Sequence, residues 1–239
     1  MLVGSTVNAN ERVISIDDLL VADRSLANID EAMSHYDFRS VLTRDIGRSL
    51  AQTLDQHVAQ VGILAARASA TVTGGDGGTQ VTSATSATNA DALVAAAFDA
   101  AQALDEKNVP DSDRYFFVKP DQYYLLVNSS SKAINRDYGN DGNGSIASGL
   151  IMRIAGLEIV KTNNLPSTNI TTGPTAYRGN FTTSVALAMQ KGAVGTVKLI
   201  DIAVEADYLI QNQAWLMVGK CAVGHGILRP ECAVEIKTS

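Results

Sequence analysis

Cysteine is nearly absent from this 239-residue chain: Cys221 and Cys232 are the only two, and they lack CxxC spacing. A disulfide framework is thereby excluded, and the usage fits a chain made in a reducing, cytosolic compartment. Aromatic residues are only 5%, so the core has to be assembled from Ala, Val, Leu and Ile rather than from large rings. Basic runs are missing too. No two Lys or Arg are adjacent, and 19 basic against 25 acidic residues give a net charge of −6, which leaves no polybasic arm for nucleic acid or lipid headgroups. The most apolar run, 92–98, stops at Asp99, well short of the roughly 18 residues of a membrane span. Residues 1–10 lack the charged start and apolar stretch of a secretory signal. What is present, 46% hydrophobic and 18% charged residues, is a globular composition, long enough to bury roughly 70% of its unfolded surface.

Along the chain, Val13, Ser15 and Asp17 alternate with Ile14 and Ile16, the period of a half-buried strand. A strand so close to the start needs a partner from elsewhere. Leu26, Ile29 and Met33 suggest a short helix. Asp37 then caps a long one over 37–68, in which Phe38, Val41, Leu42, Ile46, Leu50, Leu54, Val58, Val61, Leu64 and Ala68 recur at three and four as its apolar face. At 1.5 Å per residue it would run about 48 Å, although Gly47 and Gly62 weaken it. Residues 71–88 are rich in Gly, Ser and Thr and read as a linker. Beyond it come a helix over 90–107, a strand over 114–118 and a short helix opened by Pro120. A Gly/Asn/Asp loop fills 135–149, strand chemistry surrounds Gly156, and 163–179 form a second polar loop. The remainder is strand-rich, with turns expected at Gly192, Gly195 and Gly224. Without βαβ alternation, the class is α+β.

None of the chemical motifs assembles an active site. Gly142-Asn-Gly144-Ser-Ile-Ala147 matches a dinucleotide-binding pattern, but it follows a polar segment instead of a strand. Asp137 to Gly142 resembles half of a calcium loop, with Gly139 and Ser148 where ligands are needed. His57 lies on the apolar side of the long helix. His225, between two glycines, could approach Cys221, Cys232 and Glu231, though not with zinc-motif spacing. His35 carries no pattern. No GxSxG elbow is present, and the pairs Asp17-Asp18 and Asp111/Asp113 read as cap and turn chemistry. No catalytic residue, metal ligand or cofactor is expected.

Six phrases carry a stronger signal in series: ISIDDLL from Ile14, ANIDEAMSHYDFRS from Ala27, VPDSDRYFFVKPDQYYLL from Val109, IAGLEIVKTNNLP from Ile154, GAVGTVKLIDIAVEADY from Gly192 and GKCAVGHGILRPECAVEI from Gly219. Together they resemble the major capsid proteins of T-seven-like short-tailed bacteriophages, over nearly the whole chain. The resemblance implies the Hong Kong 97-like fold. Residues 1–87 would hold the returning strand of an extended hairpin loop, the peripheral domain with its spine helix at about 37–68, and the linker. Residues 88–207 would form the axial domain, and 208–239 the strands returning to the peripheral domain.

The implied function is a non-enzymatic virion protein that assembles into hexamers and pentamers of an icosahedral head around double-stranded DNA. Implied partners are further copies of the chain, a scaffolding protein and a portal during assembly, the packaged DNA without sequence specificity, and a decoration protein, with no membrane. Loops 138–149 and 166–179 are the axial candidates, and the interface candidates are Tyr138, Asn140, Asp141, Asn143, Asn169, Tyr177, Arg178, His225 and Arg229. The family's N-terminal arm and first hairpin strand precede the phrase at Ile14 and have no counterpart here, so a fragment or an internal start is expected. Lys107 is the first lysine, which leaves no basis for a hairpin-lysine crosslink. An encapsulin-type compartment shell is the alternative on the same fold.

Overall fold

A computed structural model describes residues 10–16, 19–34, 36–128, 144–145, 150–151 and 153–239. In chain order, β1 (Leu20–Ala27) leads into α1 (Asn28–Met33) and the long α2 (Phe38–Arg67). Next come β2 (Thr79–Thr82), α3 (Ala90–Glu106), β3 (Arg114–Val118) and α4 (Pro120–Val127). Short strands follow: β4 (Gly144–Ser145), β5 (Leu150–Ile151), β6 (Arg153–Ile154), β7 (Leu157–Lys161), β8 (Asn169–Ile170) and β9 (Gly179–Asn180). The chain finishes with β10 (Ser184–Gln190), β11 (Val194–Leu209), β12 (Ala214–Ile227) and β13 (Ala233–Lys237).

These elements form two compact units. The first comprises Met1–Val13, Val58–Gly195 and Ile227–Ser239, and the second Ile14–His57 and Thr196–Gly226. The α2 helix contributes to both. Asp37 Oδ1 accepts from Ser40 N at 3.4 Å to start it, as its capping role requires. Gly47 stands in open space, while Gly62 lets α2 approach Leu187 so closely that a Cβ would lie 2.8 Å from a Leu187 methyl.

In the first unit a six-stranded sheet has the order β2-β13-β10-β3-β7-β6. Period two divides its sides. Leu187 meets the second half of α2, with Ile63, Leu165 and Phe181 around it, whereas Ala186, Ala188, Val234 and Ile236 share a core with Leu93, Ala97, Ala100 and Leu104 of α3. A sheet covered on both faces explains the unbroken apolar run of β10. Asn89 caps α3 by accepting from Asp91 N at 3.0 Å. Ala155 and Gly156, at φ 51° and 77°, make the two-residue turn that pairs Ile154 with Leu157; two successive positive φ values suit the twist of a tight hairpin.

In the second unit the order is β1-β12-β11. Ile46 and Leu50, one helical turn apart, pack with Leu26, Met217, Cys221 and Val223, and Leu42 and Leu54 extend the stripe. Gly219 makes room for them: a Cβ there would sit 2.3 Å from Ile46 Cγ2 and 3.0 Å from Leu50 Cδ1.

Four expectations are corrected. The first strand is Leu20–Ala27, and residues 11–16 are not in a strand. The segment 71–88 is not all linker, since β2 within it pairs in parallel with β13. Gly195 and Gly224 lie inside β11 and β12 and not at turns. At Gly224 the reason is a close approach, because a Cβ there would lie 2.2 Å from the Ser15 carbonyl oxygen. The polar loop 163–179 also contains β8, which pairs with β9.

Candidate functional site

The sequence candidates scatter over the molecule. Tyr138, Asn140, Asp141 and Asn143 lie outside the described residues, as do the GxGxxA glycine Gly142 and His35. Asn169 pairs with Asn180 across β8 and β9 and is exposed. Arg178 is exposed, and its Nε donates to Gly173 O at 2.9 Å. Arg229 is exposed and reaches Glu231 at 2.7 Å. The side chains of Tyr177 and His225 lie inside their own units, at 2% and 4% exposure. His225 Nδ1 is 2.9 Å from Thr196 Oγ1, and its ring meets that of His57 edge to face at 6.4 Å. Asn169, Arg178 and Arg229 therefore remain as candidates whose side chains face outward among the described residues.

A metal or nucleophile site does not form around the cysteines. Among the described residues no three His, Cys, Asp or Glu converge as metal ligands. Burial pushes both thiols up from their ordinary range, which lowers the thiolate fraction that reactivity needs. Cys221 belongs to the second unit and Cys232 to the first.

The charged groups that are buried hold the fold together. Glu235, fully buried on β13, accepts from Arg67 Nε at 2.7 Å and from its second nitrogen at 2.6 Å, with Ser184 Oγ completing the set. Arg67 also donates to Asn180 O at 2.7 Å. The hydrogen bonds to Glu235 raise the Arg67 pKa further, against the opposing effect of burial. This bidentate pair fastens the last turn of α2 to the sheet. Arg114 similarly gathers Asp105, at 2.7 Å, and Asp111, at 3.0 Å, together with the Pro110 carbonyl. Lys107 donates to Gly77 O at 2.6 Å and to Thr79 Oγ1, and its burial lowers its pKa. Neither Arg67 nor Glu235 stood out in the sequence, because an Arg at a helix end and a Glu in a strand usually face water.

The surface that does stand out is apolar. Among the described residues, the large apolar side chains left exposed in the first unit are Val13, Phe98, Tyr124 and Leu228. The much smaller second unit exposes many more. On α1, Ile29 and Met33 are 67% and 69% exposed, and that helix buries none of its residues. Tyr36 is 83% exposed, and Phe38 and Val41, expected on the apolar face of the long helix, are exposed as well, because that face finds its core only from Leu42 onward. On β11 the exposed set is Val197, Leu199, Ile200, Ile202 and Val204. Exposed apolar side chains concentrated in this way are a recognised feature of surfaces that associate. Of the residues concerned, the sequence reading placed Ile29 and Met33 on a helix and treated the β11 stretch as a strand, but periodicity assigned none of them to an outward face.

A long helix, a six-stranded sheet covered on both sides and a second unit with unfinished apolar surface define the class: this is the Hong Kong 97-like fold of phage capsid subunits. The capsid structure of the cyanophage P-SCSP1u superposes with a TM-score of 0.87 at 38% identity, covering 99% of this chain and 77% of that one. The major capsid protein of Escherichia phage T7 is 33% identical, over 95% of this chain and 73% of its own length. That of Enterobacteria phage T3 is 30% identical, over 96% and 74%. Residues 2–237 match the Gp10A-like major capsid proteins, and the chain belongs to that family. It is a structural protein of the phage head. Among the described residues no helix is long and apolar enough to cross a membrane.

Proposed function

We propose that this chain builds the hexamers and pentamers of an icosahedral head, with the first unit serving as the axial domain and the second, with its half of α2, as the peripheral domain. The observation that carries this reading is the concentration of exposed apolar side chains in the second unit. A subunit whose surface is completed by neighbours needs such a region, and closed symmetry requires every copy to present it. In place of boundaries at 87/88 and 207/208, this proposal follows the two compact units, which change over at Val58, Thr196 and Ile227.

A scaffolding protein and a portal guide assembly in this proposal, and a decoration protein binds the finished head. The wall encloses double-stranded DNA without gripping it, since a net charge of −6 disfavours the phosphate contacts that dominate nucleic-acid affinity. Asn169, Arg178 and Arg229 act at subunit contacts. The chain carries out no catalytic step in this proposal, a reading supported by the structural role of the family. The compartment-shell alternative draws no support from the relatives near one-third identity, which are phage capsid proteins.

Electron microscopy after co-expression with a scaffolding protein tests the assembly. Closed shells are expected. A persistent monodisperse monomer would overturn the proposal.

A further inference from the structure

A helix of six residues such as α1 (Asn28–Met33) does not persist in water by itself, because nucleating the first turn costs more than so few hydrogen bonds return. The usual supports are missing. Ala27 at its N-cap makes no side-chain cap, no basic residue occupies its last turn, and none of its residues is buried. Its apolar side chains turn away from any core: Ile29 and Met33 are 67% and 69% exposed, whereas the one partly buried residue among the six is the acid Glu31. A polar tether is needed to hold such a helix.

Among the described residues, two polar contacts tie α1 to other elements. Asn28 N donates to Gln213 O at 3.0 Å, which carries the pairing of β1 with β12 one bond further. The second contact is made by Arg39, on the first turn of α2. Its Nη2 donates to Glu31 Oε2 at 2.8 Å, its Nε lies 2.6 Å from Glu31 Oε1, and its guanidinium carbon stands 4.2 Å from the centre of the Trp215 ring. Trp215 is fixed in turn, since it pairs with Leu26 across β1 and β12 and its ring meets that of Tyr208 at 5.2 Å. Isolated exposed ion pairs contribute little. This one differs, because a planar guanidinium takes a carboxylate along its edge and an aromatic ring on its face at the same time. A lysine offers a single compact charge and cannot do both.

We propose that Arg39 is a positioning residue and α1 a strap that it latches: α1 is helical only while Arg39 bridges Glu31 and Trp215, and releasing that bridge melts α1, with its exposed Ile29 and Met33, without opening the core of Ile46, Leu50 and Met217. All of these residues lie within the second unit. The latch is a property of the single subunit, so it holds or fails independently of how copies assemble.

Amide hydrogen exchange on dissociated full-length subunits tests it, with the emission of Trp215 as a second readout. Trp215 is the only tryptophan, so its emission reports this site alone. The variants are Glu31→Ala and Arg39→Lys, and neither replacement lowers helix propensity appreciably. In both, the amides of Ala32 and Met33 exchange roughly tenfold faster than in the parent, and the Trp215 emission shifts. The amides of 46–54 and the thermal midpoint keep their parental values. Parental rates at Ala32 and Met33 in either variant would overturn the latch. Unchanged emission in Glu31→Ala would do the same, since the ring would then not sense the carboxylate through Arg39. Amides of 46–54 that speed up together with those of α1 would show that α1 opens only with the rest of its unit, and would overturn the strap.

Discussion

In the first unit a sheet is sandwiched between α3 and the second half of α2, the fully buried carboxylate of Glu235 is paired, and among the described residues few large apolar side chains reach water. In the second, a smaller core of Leu26, Ile46, Leu50, Met217, Cys221 and Val223 coexists with exposed apolar residues on α1, on the start of α2 and along β11. The same chain thus contains a region stabilised from within and a region whose burial is incomplete in the single subunit. Hydrophobic stabilisation is proportional to the apolar area removed from water, so the second unit has more left to gain from a covering neighbour than the first.

Substitutions can break this contrast at graded cost. Ile46→Asp has the largest expected effect, because it puts an unpaired charge at a position 2% exposed in the small core. About 4 kcal/mol or more should be lost, read as a drop in urea midpoint, and near-parental unfolding would show that this face of α2 is not buried. Glu235→Ala strands Arg67 in the first unit and should cost about 3 kcal/mol. Replacing both partners, Arg67→Met with Glu235→Leu, should recover most of it; no recovery would mean that the pair contributes more than its own compensation. Gly219→Ala forces a Cβ against Ile46 and Leu50 and should cost about 1–3 kcal/mol. The same replacement at Gly47, where nothing lies within 4 Å, should stabilise by about 1 kcal/mol instead. Equal effects at the two glycines, measured by thermal unfolding, would contradict the close packing seen at Gly219.

Much of the fold was legible. The long helix, α3 and β3 follow from periodicity and caps, since amphipathic spacing and an Asp or Asn cap are local signals. Four features were not local. β1 (LVADRSLA) is an edge strand with a single buried residue, Leu26, so its sequence lacks clear apolar alternation, whereas the alternating stretch before it is not a strand. β2 has four residues in a Gly/Thr-rich segment and exists through parallel pairing with β13, more than 150 positions away. Gly224 reads as a turn until Ser15 is found against it. The pairing of Arg67 with Glu235 likewise joins distant segments. The exposed apolar surface was the least legible, because a strand exposed on both faces and one buried on both faces have the same apolar sequence. Resemblance supplied the family; only the structure separated covered from uncovered apolar residues.

The central claim is that the second unit's exposed apolar surface is completed by neighbouring copies. Carbene footprinting of dissociated subunits and of assembled particles tests it most directly, side chain by side chain. Ile29, Met33, Leu199 and Ile202 should lose most of their labelling on assembly, while Phe98 and Tyr124 keep theirs. Labelling of those four that is unchanged in intact particles would contradict the claim.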